Sequence, residues 1–173
     1  MVKNIFVLFT VLLSTHIALG QTINASASKV NFEISNMGFK MVDGTFDGMA
    51  GTIQFDAQDL GNSQFDVCIK AESVNTGNKK RDGHLRKEDY FYVEKYPTIC
   101  FQSSSISKTA EGFNAAGTMT MRGISKEVTI PFTFANNTFA GTLSLERKDY
   151  DVGPNGGFMV GKTVDLKITC VVE

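Results

Sequence analysis

Tryptophan is absent from the 173 residues, and histidine occurs only as His16 and His84. A zinc or non-haem iron centre normally needs several His or Cys ligands at short spacing. His84 and the three scattered cysteines, Cys68, Cys100 and Cys170, form no such cluster. No metal and no cofactor is therefore expected. An excess of basic charge is missing too, the formal net charge being −1. Nucleic-acid binding, which requires a basic face to meet phosphate, is excluded on that ground. No G-x-S-x-G nucleophile motif is present. Beyond the N-terminus there is no apolar run long enough to cross a membrane.

What the N-terminus does contain has the order of a secretory signal. Lys3 supplies a positive start, Ile5 to Leu13 an apolar stretch broken by Thr10, and Ala18-Leu19-Gly20 the small residues a signal peptidase reads. As a membrane anchor the apolar run is short, since a span takes about 20 residues. Residues 1–20 are expected to be a signal peptide cut before Gln21, leaving one domain over residues 21–173. Loss of Lys3 with no acidic residue moves the net charge from −1 to −2. The expected location is periplasmic or secreted, with no transmembrane segment after cleavage. Such a compartment lets cysteines pair, and an odd count leaves one thiol over.

The remainder reads almost wholly as strands. Apolar residues recur at a period of two rather than 3.6. Val30, Phe32 and Ile34 alternate with polar partners, as do Ile53 and Phe55, then Val67, Ile69 and Ala71. The pattern continues through Ile99 and Phe101, Met119 and Met121, Val128 to Phe134, Leu143 and Leu145, and Leu166 to Cys170. One face of each strand is thus apolar and the other wet. Turn signals separate the runs: Asp43-Gly44, Asp47-Gly48, Leu60-Gly61-Asn62, Glu111-Gly112, Arg122-Gly123, Asn136-Asn137 and the Gly153–Gly157 stretch. Short strands punctuated in this way indicate an all-β sandwich or barrel. Pro131, on the polar face of a good strand pattern, cannot donate to a ladder and marks an edge or a bulge. The glycines from 153 to 161 lack the strand-to-helix context and lysine of a phosphate loop and are read as a β-turn.

Residues 76–96 depart from the alternation. They are dense in charge and read as one or two short helices, with Asn75 or Thr76 capping the first and Asp89 a second turn. Arg81, Asp82 and His84 in this crossover invite a catalytic reading, but no nucleophile accompanies them. A charge-dense helical segment is ordinarily a solvated face, with Arg81 and Asp82 pairing or capping. A lid over one barrel end is the other role open to them. The expectation is a protein that is not an enzyme.

Alternation leaves two interiors open, a filled core and a ligand cavity. Four stretches bear on the choice: KVNFEISNMGFKMVDGTFDGMAGTIQFD at 29–56, the crossover through DYFYVEKYPTICFQSSSI ending at 106, GTMTMRGISKEVTIPFTF at 117–134 and RKDYDVGPNGGFMVGKTVDLKI at 147–168. In this order they resemble the YceI-like family. The resemblance implies an extended, lipocalin-like antiparallel β-barrel with a short helical crossover around residues 76–96. It also implies a long lipid, of polyisoprenoid or fatty-acyl type, inside the barrel, in a bacterial exported protein. The cysteines are not part of the family pattern.

With that resemblance, the inward positions Phe32, Ile34, Phe55, Ile69, Phe101, Met119, Met121, Phe132 and Phe134 become the expected ligand walls. Burying a lipid tail yields about 0.8 kcal/mol per CH₂, so ten carbons give roughly 8 kcal/mol before the costs of binding. Affinity of that size needs no charged contact. The leading expectation is a carrier or scavenger of a long apolar lipid. The alternative is a non-catalytic envelope interaction module with a filled barrel, and an enzyme acting on an apolar substrate ranks third. A homodimer is left open. Parity places Cys68 and Cys100 on the outer face of consecutive strands, so they are the pair that can bridge if the register allows. Cys170 shares the inward face of Leu166 and Ile168 and is expected to be a free, buried thiol.

Overall fold

The computed structural model describes residues 20–38, 40–154 and 160–173. The expected signal peptide lies almost wholly outside the described residues, as do positions 155–159 of the expected glycine-rich turn. Nine strands form one sheet: β1 Lys29–Asn36, β2 Lys40–Phe46, β3 Ala50–Gln54, β4 Gln64–Lys70, β5 Thr98–Lys108, β6 Phe113–Met121, β7 Ile124–Ala135, β8 Thr138–Glu146 and β9 Val160–Val171. Their order across the sheet is β2-β1-β9-β8-β7-β6-β5-β4-β3, and every neighbouring pair is antiparallel. Among the described residues the one α-helix, α1 at Lys79–Leu85, lies in the connection from β4 to β5. This is the lipocalin-like architecture anticipated above, in a partly open form.

The sheet curls into a half-barrel whose edges are β2 and β3. These are consecutive in the chain but do not pair with each other. Each edge finds a different partner, which blunts its exposed ladder. Thr45 on β2 exchanges two backbone hydrogen bonds with Asn75, its N–H donating to the Asn75 carbonyl at 2.8 Å and its carbonyl accepting at 3.0 Å. On β3 the Ile53 carbonyl accepts from the Gln21 N–H at 2.7 Å.

Local sequence explains most of the turns. Arg122-Gly123 and Asn136-Asn137 have positive φ at both positions, the twist a two-residue hairpin needs. Asp43-Gly44, however, is no turn. Both residues lie inside β2, where Gly44 pairs with Phe32. A Cβ on Gly44 would stand 2.2 Å from Cζ of Phe32, so glycine is there to let that ring lie against the strand. The hairpin turn falls instead at Met37-Gly38, again with positive φ at both residues. Gly44→Ala is expected to force the Phe32 ring aside and cost about 1–3 kcal/mol of stability, read from the midpoint of urea unfolding at unchanged m. An unshifted midpoint would show that the ring has room to move.

Pro131 sits within β7, opposite Asn114 of β6, in an interior strand of the sheet rather than an edge strand. On its other side the β7–β8 ladder runs only from Ala135↔Thr138 to Phe132↔Gly141. The residue that cannot donate therefore stands where these strands part. Beyond it Tyr150 and Val152 pack with Met119, Met121 and Ile130. Tyr150 belongs to the 3-10 turn Arg147–Tyr150 that follows β8.

Cys68 and Cys100 face each other across β4 and β5 and form a disulfide, with Cα atoms 4.0 Å apart. Cys170 is free and buried. Burial pushes its thiol pKa up, and a hydrogen bond involving Ser28 opposes this only in part. Among the described residues no helix is long and apolar enough to cross a membrane.

Candidate functional site: an apolar interior with one polar end

Inside the curl are two apolar chambers. The first, about 150 Å³, takes wall residues from every strand, from Phe46 on one sheet edge to Ile53 on the other. The second, about 170 Å³, lies toward the β1–β2 hairpin and the crossover. They meet at Phe46, Met121 and Leu166, which line both. Each is comparable to the apolar cavity of about 150 Å³ that takes a benzene-sized guest and stays dry when empty.

The far end of the first chamber is closed by phenylalanine. Phe65, Phe132 and Phe139 line it, and Phe55 lies behind them with ring centroids at 6.1, 5.6 and 5.3 Å. Phe113 and Phe134 complete the group at 5.1 and 5.3 Å from Phe55. Edge-on ring contacts of this kind add stability beyond the area they bury. They close the first chamber at that end.

The other end of the interior carries the polar groups. Asn36, Thr76, Arg81, His84 and Arg147 join an otherwise apolar lining of the second chamber. Helix α1 positions Arg81 and His84. Its cap is Asn78, whose side chain accepts from the backbone N–H of Lys80 and Arg81, each at 3.1 Å, rather than the expected Asn75 or Thr76. Asn75 is instead committed to the β2 edge. Arg81 and Asp82 do not pair directly. Arg81 Nε donates to the Thr76 hydroxyl at 2.7 Å, and that hydroxyl donates to buried Asp82 at 2.5 Å. His84 is exposed, its ring edge-on to Tyr90 at 5.0 Å. Arg81 and Asp82 are thus linked through Thr76, while His84 meets Tyr90. Among the described residues no group of three or more His, Cys, Asp or Glu side chains could hold a metal ion.

Of the nine residues singled out as walls, Ile69, Phe101, Met119 and Phe132 line the first chamber. Phe32 and Ile34 line the second, and Met121 lines both. Phe55 and Phe134 line neither and belong to the phenylalanine floor. Phe55 follows the end of β3, and Phe134 lies against Phe139 with ring centroids 4.3 Å apart. Parity placed these two rings inside, but it could not show that other rings shield them from the void. Sequence reasoning missed Phe46, because Gly44 interrupts the apolar alternation of β2. It also missed Arg147, a charged residue with no signal for burial.

Residues 21–172 match the model of the YceI-like domain. The chain belongs to the YceI-like family. A UPF0312 protein of Ectopseudomonas mendocina is 34% identical over 148 residues, covering 79% of this chain and 77% of that one. Protein YceI of Escherichia coli is 36% identical over 150 residues, covering 81% and 78%. Among solved structures, Burkholderia cenocepacia BcnA superposes with a TM-score of 0.81 at 26% identity, over 87% of this chain and 99% of that one. A polyisoprenoid binding domain from Saccharophagus degradans shares the fold, with a TM-score of 0.66 at 17% identity over 88% and 97%.

Proposed function

We propose that this YceI-like protein is an exported, non-catalytic lipid-binding protein that holds a long apolar chain, polyisoprenoid or fatty-acyl, in its interior as carrier or scavenger. The observation that carries the reading is the pair of adjoining apolar chambers, floored by phenylalanine at one end and lined by the crossover at the other. A filled core would suit the alternative, an envelope interaction module, and two voids lined almost wholly by carbon do not favour it. The polyisoprenoid-binding description of the Saccharophagus domain supports the same reading, as does the shared fold. For export, support comes from the signal-like N-terminus and from the Cys68–Cys100 disulfide, a bond that persists in oxidising compartments. Seven of the expected wall residues, from Phe32 to Phe132, would contact the chain, with Phe46 and Leu166 added at the junction.

The test is mass spectrometry of an organic extract of protein purified under native conditions from its own host. A stoichiometric long-chain lipid is the expected result. Repeated recovery of lipid-free protein that also fails to take up added long-chain lipids would overturn the proposal in favour of the interaction module.

A further inference from the structure

We infer that the β1–β2 hairpin and helix α1 form a docking face for the surface of an anionic lipid bilayer. The face stands on its own residues, and only its use, the loading of the chambers with a lipid, rests on the function proposed above.

The apolar part is the hairpin. Met37 and Met41 are the two large apolar side chains that the described residues leave exposed, at 46% and 56%. Met41 stands beside Val42, which lines the second chamber, so strand alternation turns Met41 outward. Met37 occupies the hairpin turn with φ at 56°. That left-handed backbone is costly for a long side chain and is the usual place of Asn or Gly. In water neither methionine gains burial in return. Single exposed apolar residues need no explanation, but these two share one hairpin, and one of them holds a disfavoured conformation. Both gain burial on entering the apolar boundary of a bilayer.

The charged part is Lys40, exposed between the two methionines in sequence, together with helix α1 and the residues that follow it. From 79 to 89 five Lys and Arg residues stand against three acids. One of these acids, Asp82, is buried and held by the Thr76 N–H and hydroxyl, whereas Lys79, Lys80 and Lys87 are exposed. Asp43, Glu88 and Asp89 are exposed as well, and the two segments still keep a cationic excess on a chain whose net charge is −1. Flexible lysines flanking an apolar hairpin complement a layer of anionic headgroups, which demands no fixed geometry. The two segments meet at the second chamber, which Asn36 and Val42 line from the hairpin and Arg81 and His84 from the helix. Docking here brings the walls of that chamber to the membrane, where a chain too apolar to cross water can be taken up.

The absence of tryptophan makes a single introduced indole a local reporter. Met41→Trp reports on the hairpin, and Ala110→Trp, exposed between β5 and β6 near Phe113 of the floor, is the control. Protein purified from its own host is mixed with vesicles of phosphatidylglycerol and phosphatidylcholine, or of phosphatidylcholine alone. Emission from Met41→Trp should shift to the blue on the anionic vesicles only, and emission from Ala110→Trp should not shift. The Met37→Ser, Met41→Ser double variant should bind the anionic vesicles about tenfold or more weakly in a sedimentation assay. The Lys40→Gln, Lys79→Gln, Lys80→Gln, Lys87→Gln variant should lose as much. All six side chains are exposed, so these changes leave the fold intact. No shift, an equal shift on neutral vesicles, or one shared by Ala110→Trp overturns the docking face, as does undiminished binding by the serine variant. A blue shift that grows with protein concentration in the absence of vesicles assigns the methionines to a second copy and overturns the bilayer as their partner. Docking by a protein that takes up no long-chain lipid leaves this face standing and overturns only the function proposed above.

Discussion

Replacing Met121 by Trp is expected to cut the uptake of a long-chain ligand more than tenfold while leaving the protein folded. Met121 is buried and stands where the two chambers meet. Neither chamber alone holds more than a ring-sized guest, so a long chain must pass this junction. Methionine is flexible enough to let it through, and an indole is not. Each buried CH₂ excluded forfeits about 0.8 kcal/mol, so closing one chamber removes several kcal/mol of gross binding energy. The added volume enters an existing void, which limits the overpacking penalty to about 1–3 kcal/mol. The contrasting change, Met121→Ala, should keep uptake and cost about 2–3 kcal/mol of stability. Uptake by Met121→Trp equal to that of the wild type would show that the chain does not cross between Phe46, Met121 and Leu166.

The second large effect is on stability. The Cys68–Cys100 bond closes a loop across a sequence separation of 32 residues, and that loop contains the whole crossover. On the chain-entropy account such a closure is worth roughly 3.5 kcal/mol. The Cys68→Ala, Cys100→Ala double variant should therefore melt about 10 °C lower, at the few degrees per kcal/mol usual for a chain of this size. It should keep its far-ultraviolet circular dichroism, because the β4–β5 ladder brings these residues together with or without the bond. Free-thiol counting on denatured, unreduced wild-type protein should return one thiol per chain, from Cys170. In the native protein that thiol should resist modification, since burial keeps it protonated and screened. Three free thiols, or a melting temperature unchanged in the double variant, would remove the disulfide from the account of stability.

Strand parity was legible from residues alone. The period-two pattern placed Phe32, Ile69, Met119 and Met121 inward. It also put Cys68 and Cys100 on one face and Cys170 on the other, because alternation is a property of the extended backbone itself. The β2 strand was not legible, since Gly44 looks like a turn until Phe32 is known to lie over it. Asn78 was passed over as the cap for a related reason: several Asn and Thr residues precede α1, and the β2 edge claims Asn75.

The amino-acid sequence by itself thus determined an all-β chain, the inward face of most strands, the charged crossover between β4 and β5 and the partition of the cysteines. These follow from local chemistry, which neighbouring residues carry between them. Only the tertiary structure decided that the interior is hollow at its centre and filled at one end. Whether inward side chains touch depends on how tightly nine strands curl, a distance between residues far apart in the chain. Phe55 and Phe134 show the consequence, facing inward like Met119 yet sealed behind other rings. Arg147 shows it again. Nothing in its neighbours marks it for burial, and it becomes an enclosed cation only because Val152, Val160 and Gly161 fold their carbonyls around it.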